Sequence, residues 1–304
     1  LPVTMIVLHY TGMPDRDGAL DRMTSSEAKV SAHYCVDEDG TIYRLVDDGT
    51  SWQKIGQDID GMAAYDESGW SVSLSADGLT VAIGAPYNDN HGQVTVFRYD
   101  DEGSSWERLV QSIYGDNAGD WFGISVNLSP DGNTLAVGSP GHWEDDDRPG
   151  YVRVFSLESS LDTQDIIGEA NGDMFGYSVS ISEDGETVAV GAYYSGNSHY
   201  SGYVKIYRLK DDGMSWEQIG QDINGEATYD ELGHSVSLSA NGSIVATGAI
   251  SGASNPFNGV RTGQVKVFQI NSAGSSWEQL GQSIYGDNVK DRFGWSVDIS
   301  PNDY

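Results

Sequence analysis

The chain has 304 residues, and 46 Asp and Glu against 16 Lys and Arg give it a formal charge of −30 at pH 7. Such an acidic surface repels nucleic acid and anionic lipid, because binding either one requires clustered Lys and Arg. The 38 glycines and 11% aromatic residues suit short strands joined by tight turns, and no apolar run approaches the roughly 20 residues that span a bilayer.

The single cysteine, Cys35, excludes an intrachain disulfide and a cysteine-based metal cluster. The sequence begins Leu-Pro-Val, without an initiator Met, a basic segment or an apolar signal segment. We therefore expect a fragment or a processed form, and the missing targeting signals carry little information on its origin.

Residues 1–48 differ in pattern from the rest of the chain. Hydrophobic periodicity predicts these elements in order: a strand over 4–9, a helix over about 15–23, a strand over 31–36, a turn at 39–40 and a strand over 41–46. The segments MIVLHYTGM and SAHYCVDEDGTIYRLV resemble the start of zinc-dependent N-acetylmuramoyl-L-alanine amidases.

The resemblance implies a role for two histidines of this segment. It makes His9, which closes the first strand, a zinc ligand, and it places His33 close to the active site without making it a ligand. A catalytic zinc takes three protein ligands and a water molecule. The family supplies two further ligands and a glutamate base far downstream, where this chain has already entered repeat sequence. We therefore expect no amidase activity, and we expect zinc only if other residues complete the site of His9.

The rest of the chain is an internal repeat. The string GWSVSLSADGLTVAIGAP starts at Gly69 and returns in altered form at three later glycines, with a partial copy at Gly294, at spacings of 54, 53, 57 and 61 residues. Four predicted strands in a period of about 55 residues are typical of a propeller blade. We predict an all-β fold, with residues 49–304 as a β-propeller of four full blades and a composite closing blade, after a short α/β amidase-like segment over 1–48.

Each unit has the same predicted elements. SVSLS alternates as a half-buried strand should, Asp77-Gly78 predicts a type I′ hairpin turn, and TVAIGAP is apolar enough for the most buried strand. GQVTVFRY is the third strand, and SWERLVQSI, with Trp106, is the fourth. The unit that contains GYVRVFSL lacks this Trp, so we expect an abbreviated outer strand there. The tryptophans at this position are interpreted as packing between blades rather than as a sugar platform: Trp52, Trp106, Trp216 and Trp277.

The order Phe-Gly, Gly-Ala-Pro and Gly-x-Val-x-Val-Phe resembles the FG-GAP repeats of integrin-type β-propellers. Phe122-Gly123 and Phe175-Gly176 match the first element, and Gly84-Ala85-Pro86 matches the second. Calcium-binding copies in that family carry a D-x-D-x-D-G-x-x-D loop, whereas the corresponding connection here is only SADGLT, so integrin-type calcium sites are not predicted. A WD-repeat propeller is the nearest rival, but the Trp-Asp dipeptide is missing and the period is too long.

The junction of the two parts suggests how the propeller closes. GTIYRLVDDGTSWQKIGQDI, from residue 40, aligns with GQVTVFRYDDEGSSWERLVQSI, from residue 92, and the chain ends in a lone first strand over 295–300. We hypothesise that strands over 33–36, 41–46 and 52–59 join that last strand in one composite blade. The alternative is a piece of a larger, open propeller with unpaired strand edges.

An aspartate precedes the first strand of every unit, in the pattern D-x-x-G. These residues could form a ring of carboxylates that binds cations or a basic partner, but we favour a structural role in which each Asp bonds its own turn. They are Asp66, Asp120, Asp173, Asp230 and Asp291. His234, in Gly233-His234-Ser235, superficially resembles a distal zinc-ligand motif, but it is interpreted as a strand residue because Trp70, Ile124 and Tyr177 occupy its place in other units.

The leading functional hypothesis is a non-catalytic acidic binding module of an extracellular or cell-surface protein. It would bind an unknown protein or glycan through the loops between second and third strands, which vary most: YNDNHG, GHWEDDDRPG, YSGNSHYSG and ISGASNPFNGVRTG. The second hypothesis is a zinc-dependent peptidoglycan amidase with a propeller appendage, incomplete in this chain. A purely structural repeat of an adhesin-like protein is the third.

Overall fold

The computed structural model describes strands at 34–36 and 42–45 and then residues 52–100, 102, 104–141, 148–158, 161–162, 164–194, 200–251, 262–288 and 291–299. These residues form an all-β fold, in which the helical structure is a single 3-10 turn, Asn88–Asn90. None of the helices in this part of the chain is long and apolar enough to cross a membrane. The strand predicted over 4–9 and the helix predicted over 15–23 lie outside the described residues.

The strands form one three-stranded and four five-stranded antiparallel sheets. Sheet 1 contains β1 (Tyr34–Val36), β2 (Ile42–Leu45) and β3 (Trp52–Lys54). Sheet 2 contains β4 (Ser71–Leu74), β5 (Thr80–Ala85), β6 (Gln93–Asp100), β7 (Ser105–Arg108) and β8 (Ile113–Tyr114). Sheet 3 contains β9 (Ser125–Leu128), β10 (Thr134–Ser139), β11 (Tyr151–Ser156), β12 (Leu161–Asp162) and β13 (Ile166–Ile167). Sheet 4 contains β14 (Ser178–Ile181), β15 (Thr187–Ala192), β16 (Tyr203–Leu209), β17 (Trp216–Gln218) and β18 (Ile223–Asn224). Sheet 5 contains β19 (Leu232–Leu238), β20 (Ile244–Ala249), β21 (Gln264–Ile270), β22 (Trp277–Gln279) and β23 (Ile284–Tyr285).

Each five-stranded sheet keeps its strands in chain order, and the fifth strand pairs with the third. The predicted fourth strand is therefore broken into two pieces, as in sheet 2, where β7 pairs with one end of β6 and β8 with the other. Between the two pieces, residues 109–112 of the outer strand lie opposite only 95–96 of β6, and the amide of Leu109 still donates to the carbonyl of Val96 at 2.8 Å. In sheet 3, which lacks the tryptophan, both pieces have only two residues, as the abbreviated outer strand predicts.

The turn between first and second strands differs from the predicted type I′ hairpin. In sheet 2, Gly78 has a φ of +71°, whereas Asp77 is not among the residues with positive φ, and a type I′ turn requires both. The connection is longer than a two-residue loop because Ser75 and Thr80 form the last bonded pair, with the Ser75 amide 2.9 Å from the Thr80 carbonyl. The side chain of Asp77 supports it by accepting the amide of Leu79, at 2.9 Å.

Apolar side chains of the second strands pack alternately against the two neighbouring sheets. All six residues of β5 are buried. Val81 and Ile83 belong to a cluster with Ile55 and Ile59, which follow sheet 1 in the chain, and Ala82 belongs to the cluster between sheets 2 and 3. The core is thus a series of layers between successive sheets, because a strand's side chains alternate in direction.

The FG and GAP elements meet where one sheet packs on the next. A Cβ on Gly84 of sheet 2 would lie 2.1 Å from the carbonyl oxygen of Gly123, at the start of sheet 3. The hydroxyl of Ser71 donates to that same carbonyl at 2.7 Å. Equivalent bonds of 2.9, 2.8 and 2.8 Å recur along the chain: Ser125 to Gly176, Ser178 to Gly233 and Ser235 to Gly294.

Three of the four outer-strand tryptophans pack against a neighbouring unit, as predicted, whereas the side chain of Trp52 lies outside the described residues. Trp106 of sheet 2 is 3% exposed and donates its Nε1 to the carbonyl of Ile55, in the segment directly after sheet 1, at 3.0 Å. Trp277 of sheet 5 repeats this contact with the carbonyl of Ile219, at 2.9 Å. Trp216 is half-buried and packs against the cluster between sheets 3 and 4.

The predicted last strand does not form in the described residues. Residues 295–299 lie beside β19, where the amide of Ile299 donates to Ser237 Oγ at 3.0 Å, but they have no strand assignment. Sheet 1 has three described strands and none from the end of the chain. Among the described residues no strand forms a hydrogen-bonded ladder with residues 295–299, so closure of a composite blade stays a hypothesis.

Candidate ligand-binding surface

The recurring aspartates bond the turns that lead into the first strands. Asp66 Oδ2 accepts the amide of Ala63 at 2.9 Å and the side-chain amide of Asn88 at 2.7 Å. Asp230 Oδ2 accepts two backbone amides, those of Glu226 and Ala227, both at 2.7 Å. This geometry supports the structural interpretation of the motif.

Two other members of the set also accept bonds from side chains of their own sheet. Asp120 accepts hydrogen bonds from the guanidinium of Arg148 and the hydroxyl of Tyr151. Asp173 accepts one from the hydroxyl of Tyr203, at 2.9 Å. Asp291 accepts the amide of Asn288 at 2.7 Å and, unlike the other four, is exposed.

The residue after each aspartate has a left-handed backbone although it is not glycine. The φ angles are +51°, +53°, +58°, +56° and +49° for Glu67, Trp121, Met174, Glu231 and Arg292. This conformation costs of order 1 kcal/mol or more for an L residue, so the bonds of the neighbouring aspartate stabilise it. The turn thereby directs one side chain of every unit toward the same end of the sheets.

These side chains take part in an aromatic surface that crosses the five-stranded sheets. Ring-centroid distances are 6.0 Å from Trp70 to Tyr87 and 5.6 Å from Tyr87 to Trp121. Trp121 packs in a cluster with Met174 and Tyr177. All of these residues lie either just before the first strand of a sheet or just after its second strand. Because the two strands are antiparallel, these positions are at the same end of the pair.

The surface continues through sheets 4 and 5. Tyr177 lies 4.3 Å from Tyr193, Tyr193 lies 5.7 Å from His234, and His234 lies 4.5 Å from Trp295. A branch from Tyr193 continues through three more tyrosines at centroid distances of 5.9, 4.3 and 5.2 Å: Tyr194, Tyr200 and Tyr229. We refer to these ten rings as the aromatic surface.

The margins of the aromatic surface are open to solvent. Trp70 is 43% exposed, Tyr229 is 46% exposed and Trp295 is 52% exposed. Large apolar groups that remain exposed side by side mark interaction sites more often than single scattered ones. The aromatic surface therefore has a buried centre that holds its shape and margins that a ligand can contact.

Carboxylates lie beside these rings. Burial and then the negative charge of Glu67 raise the pKa of the Tyr87 hydroxyl. The pKa of the Tyr193 hydroxyl is also raised, mainly by burial and then by the charges of Tyr177 and Glu231. Glu231 Oε2 also accepts the hydroxyl of Ser251, at 2.9 Å. Two carboxylates, Glu67 and Glu231, therefore lie near the rings of the aromatic surface.

His234 lies in strand β19, as predicted, and is 7% exposed. Its Nδ1 is 3.2 Å from the carbonyl oxygen of Trp295. Burial lowers the pKa of this imidazole to about 4, so it is neutral at physiological pH and belongs to the packing of the aromatic surface.

Sequence reasoning missed most of this surface. It noted that Trp70, Ile124, Tyr177 and His234 share one repeat position, but it did not connect them with Tyr87 or Tyr193. The available signal was a tyrosine directly after the second strand, in GAPY and GAYY. Of the four variable loops, the first is a described turn, and most of the other three lies outside the described residues.

The amidase residues His9 and His33 also lie outside the described residues. Within the part of the chain that the structure describes, no three His, Cys, Asp or Glu side chains are grouped so that they could hold a metal ion. The described residues therefore offer no set of ligands for a zinc ion of their own.

The sequence matches two protein families. Residues 1–105 match the N-acetylmuramoyl-L-alanine amidase family, and residues 168–207 match the FG-GAP repeat family. The amidase match extends over strands β4 to β6, which in the structure belong to the first five-stranded sheet. No curated protein matches the sequence.

Among solved structures, the fold is similar to a candidate 6-phosphogluconolactonase from Bacteroides uniformis, with a TM-score of 0.53 and 14% identity. The match covers 82% of this chain and 66% of that protein, so the chain spans just under two thirds of its length. At this identity the similarity concerns the fold alone.

Proposed function

We propose that this chain is a non-catalytic binding module, built as a β-propeller, of an extracellular or cell-surface protein. The observation that carries the proposal is the aromatic surface, two runs of rings from four sheets that meet in the cluster around Met174, with exposed tryptophans at both margins. The ligand class is a protein or a glycan, contacted by this surface and by the variable loops around it.

The propeller arrangement is supported by the repeated contact between sheets. One serine-to-glycine bond, between 2.7 and 2.9 Å long, links each five-stranded sheet to the next unit of the chain. A contact repeated with one geometry turns every sheet by a similar step about a common axis. The fully buried second strands and the layered core suit such an arrangement.

Closure of the ring by sheet 1 is the finer part of this proposal. Phe122 and Phe175 are fully buried, whereas Phe293, at the same repeat position, is 38% exposed. A sheet that packed on sheet 5 would cover Phe293. If residues 295–299 complete sheet 1, they pair with β1, in which Cys35 is the only cysteine of the chain.

A disulfide tests the closure, because paired strands bring Cα atoms to within about 5.5 Å. Val297→Cys, Asp298→Cys and Ile299→Cys are each oxidised mildly and analysed for a bond to Cys35. We expect a bond in one of the three and none in Glu278→Cys, on an outer strand. Absence of a bond from all three variants would contradict closure.

Binding is tested by calorimetric titration of the full chain with a panel of basic peptides, acidic peptides and soluble glycan oligomers. Trp70→Ala removes an exposed ring of the aromatic surface, and Met214→Ala removes a 57% exposed apolar side chain elsewhere. We expect at least one ligand to lose affinity in the first variant and not in the second. Equal affinities in both variants for every ligand that binds, or no binding at all, would overturn the proposal.

The family match over residues 1–105 favours a second candidate, a zinc-dependent peptidoglycan amidase with a propeller appendage. His9 would be one zinc ligand, and His33 would lie near the substrate. The test is zinc content after dialysis, together with release of peptide from purified peptidoglycan. Near-stoichiometric zinc with hydrolysis would establish the amidase and overturn a non-catalytic role, whereas absence of both would reject it.

A further inference from the structure

We propose that the aromatic surface binds the ammonium and guanidinium groups of a basic peptide segment of a partner protein. This inference rests on the proposed binding function and specifies the chemistry of its ligand. Three observations on the surface carry it: its exposed rings, the carboxylates among them and an internal cation that already lies on one of the rings.

The exposed rings have the geometry for cations. Trp70 meets Tyr87 edge to face, with an interplanar angle of 85°, and remains 43% exposed. The face of an indole carries negative charge density and attracts a cation within about 6 Å of its centre. The exposed rings at the margins and the half-buried tyrosines between them offer more than one such face, which suits successive Lys or Arg side chains of one peptide.

Two carboxylates complement those cations. Glu67 and Glu231 occupy the position after the recurring aspartate, where sheets 3 and 4 have Trp121 and Met174 of the aromatic cluster. Glu67 is exposed and Glu231 is half-buried, so both can meet a ligand at the edge of the rings. A neutral glycan could stack on the same faces, but it would leave these two charges without counterions.

The same repeat position provides an internal example in the partial unit that follows sheet 5. The guanidinium carbon of Arg292 lies 5.3 Å from the centre of the Trp295 ring. A cation is thus accommodated on this surface within the chain itself. The net charge of −30 adds long-range attraction for a basic segment, and this attraction must be separated from specific recognition.

The test is calorimetric titration of the full chain with hexalysine, the same peptide acetylated on every side-chain amine, and a hexamer of N-acetylglucosamine. Acetylation keeps the size of the peptide and removes its charges. Glu67→Gln/Glu231→Gln removes the proposed carboxylates, and Glu217→Gln/Glu278→Gln removes two exposed carboxylates from outer strands β17 and β22, with the same change in net charge.

We expect hexalysine to bind and acetylation to weaken it at least tenfold. We expect the first double variant to weaken binding about tenfold and the second less than about twofold. Equal weakening by both pairs would overturn the inference, because attraction would then depend on net charge alone. If the glycan hexamer binds and hexalysine does not, the inference is overturned and the proposed binding function stands. If neither probe binds, and no other ligand loses affinity in Trp70→Ala, both the inference and the proposed binding function are overturned.

Discussion

The carbonyl oxygen of Gly233 lies 2.1 Å from the point that a Cβ on Gly191 would occupy, so sheets 4 and 5 meet backbone to backbone. Ser178 Oγ shares the contact by donating to the same carbonyl at 2.8 Å. The glycines of the FG and GAP elements therefore set the spacing between sheets, because no side chain fits between them.

Gly191→Ala is expected to lower the free energy of unfolding by about 2–4 kcal/mol, since the methyl group must push two backbones apart. Gly274→Ala is the control: Gly274 has a φ of +68° and no atom within 4 Å of the position that a Cβ would occupy, so this change carries only a backbone cost of about 1 kcal/mol. Urea denaturation monitored by tryptophan fluorescence measures both. If the two variants lose the same free energy of unfolding, the backbone around Gly233 must move aside at no cost to make room for the methyl group.

Gln221 forms two bonds with the backbone of Trp277: its Oε1 accepts the amide at 3.0 Å and its Nε2 donates to the carbonyl at 2.9 Å. Gln221→Ala leaves both groups without these partners, so we expect a loss of about 1–2 kcal/mol in the free energy of unfolding. Gln279→Ala removes an exposed amide that bonds Ser283 Oγ at 3.2 Å, and we expect less than about 0.5 kcal/mol. Chemical denaturation at fixed pH compares the two, and a larger loss from Gln279→Ala would contradict the role of Gln221.

His234 predicts an acid-dependent stability. Burial lowers its pKa from the ordinary 6.5 to about 4; the bond to the Trp295 carbonyl opposes this shift, and the charge of Arg292 adds to it. Between pH 6.5 and 4 the unfolded chain binds the proton more readily than the folded chain does. The folded state therefore loses about 3 kcal/mol in total as pH falls through this window, and the loss is complete below about pH 4.

The matched variant for this prediction is His234→Tyr, because tyrosine occupies the same repeat position at Tyr177. We expect this variant to lack the contribution of His234 to acid destabilisation in denaturation curves recorded from pH 7 to 4. The control variant His91→Gln, which changes a residue outside the aromatic surface, should keep the same acid destabilisation as the unmodified chain. An unchanged pH dependence in His234→Tyr would show that other groups determine acid sensitivity.

Lys205 is a buried cation between sheets 3 and 4. Its side chain is 2% exposed, and its Nζ lies 2.5 Å from Glu169 and 3.4 Å from Asp222. Lys205→Met keeps the volume and removes the cost of burying a charge, so we expect a change within about 1 kcal/mol. Glu169→Gln/Asp222→Asn leaves the ammonium buried without its counterions, and we expect a loss of about 3 kcal/mol. Thermal and urea unfolding of the two variants should separate them, and a larger loss in Lys205→Met would contradict this account.

The repeat predicted the strands and the layers correctly where apolar alternation decides them. The fully buried β5 is explained by its apolar sequence, and the packing of Trp106 between sheets is explained by its place in the outer strand. The prediction of a type I′ turn was wrong because the Asp-Gly dipeptide does not determine the length of the loop around it. The break in the fourth strand was also missed, since the extra residues between its two pieces, within 109–112, leave no clear mark in the hydrophobic pattern.

The sequence by itself determined that the chain is a repeat of β-sheets, because each unit must bury two apolar faces and can do so only against its neighbours. Only the tertiary structure brought the rings of the aromatic surface together. Tyr87, Tyr177 and His234 belong to different units, and they meet because antiparallel pairs in successive sheets bring the same ends of their strands together. No local pattern encodes that proximity, since it arises from the packing of whole sheets.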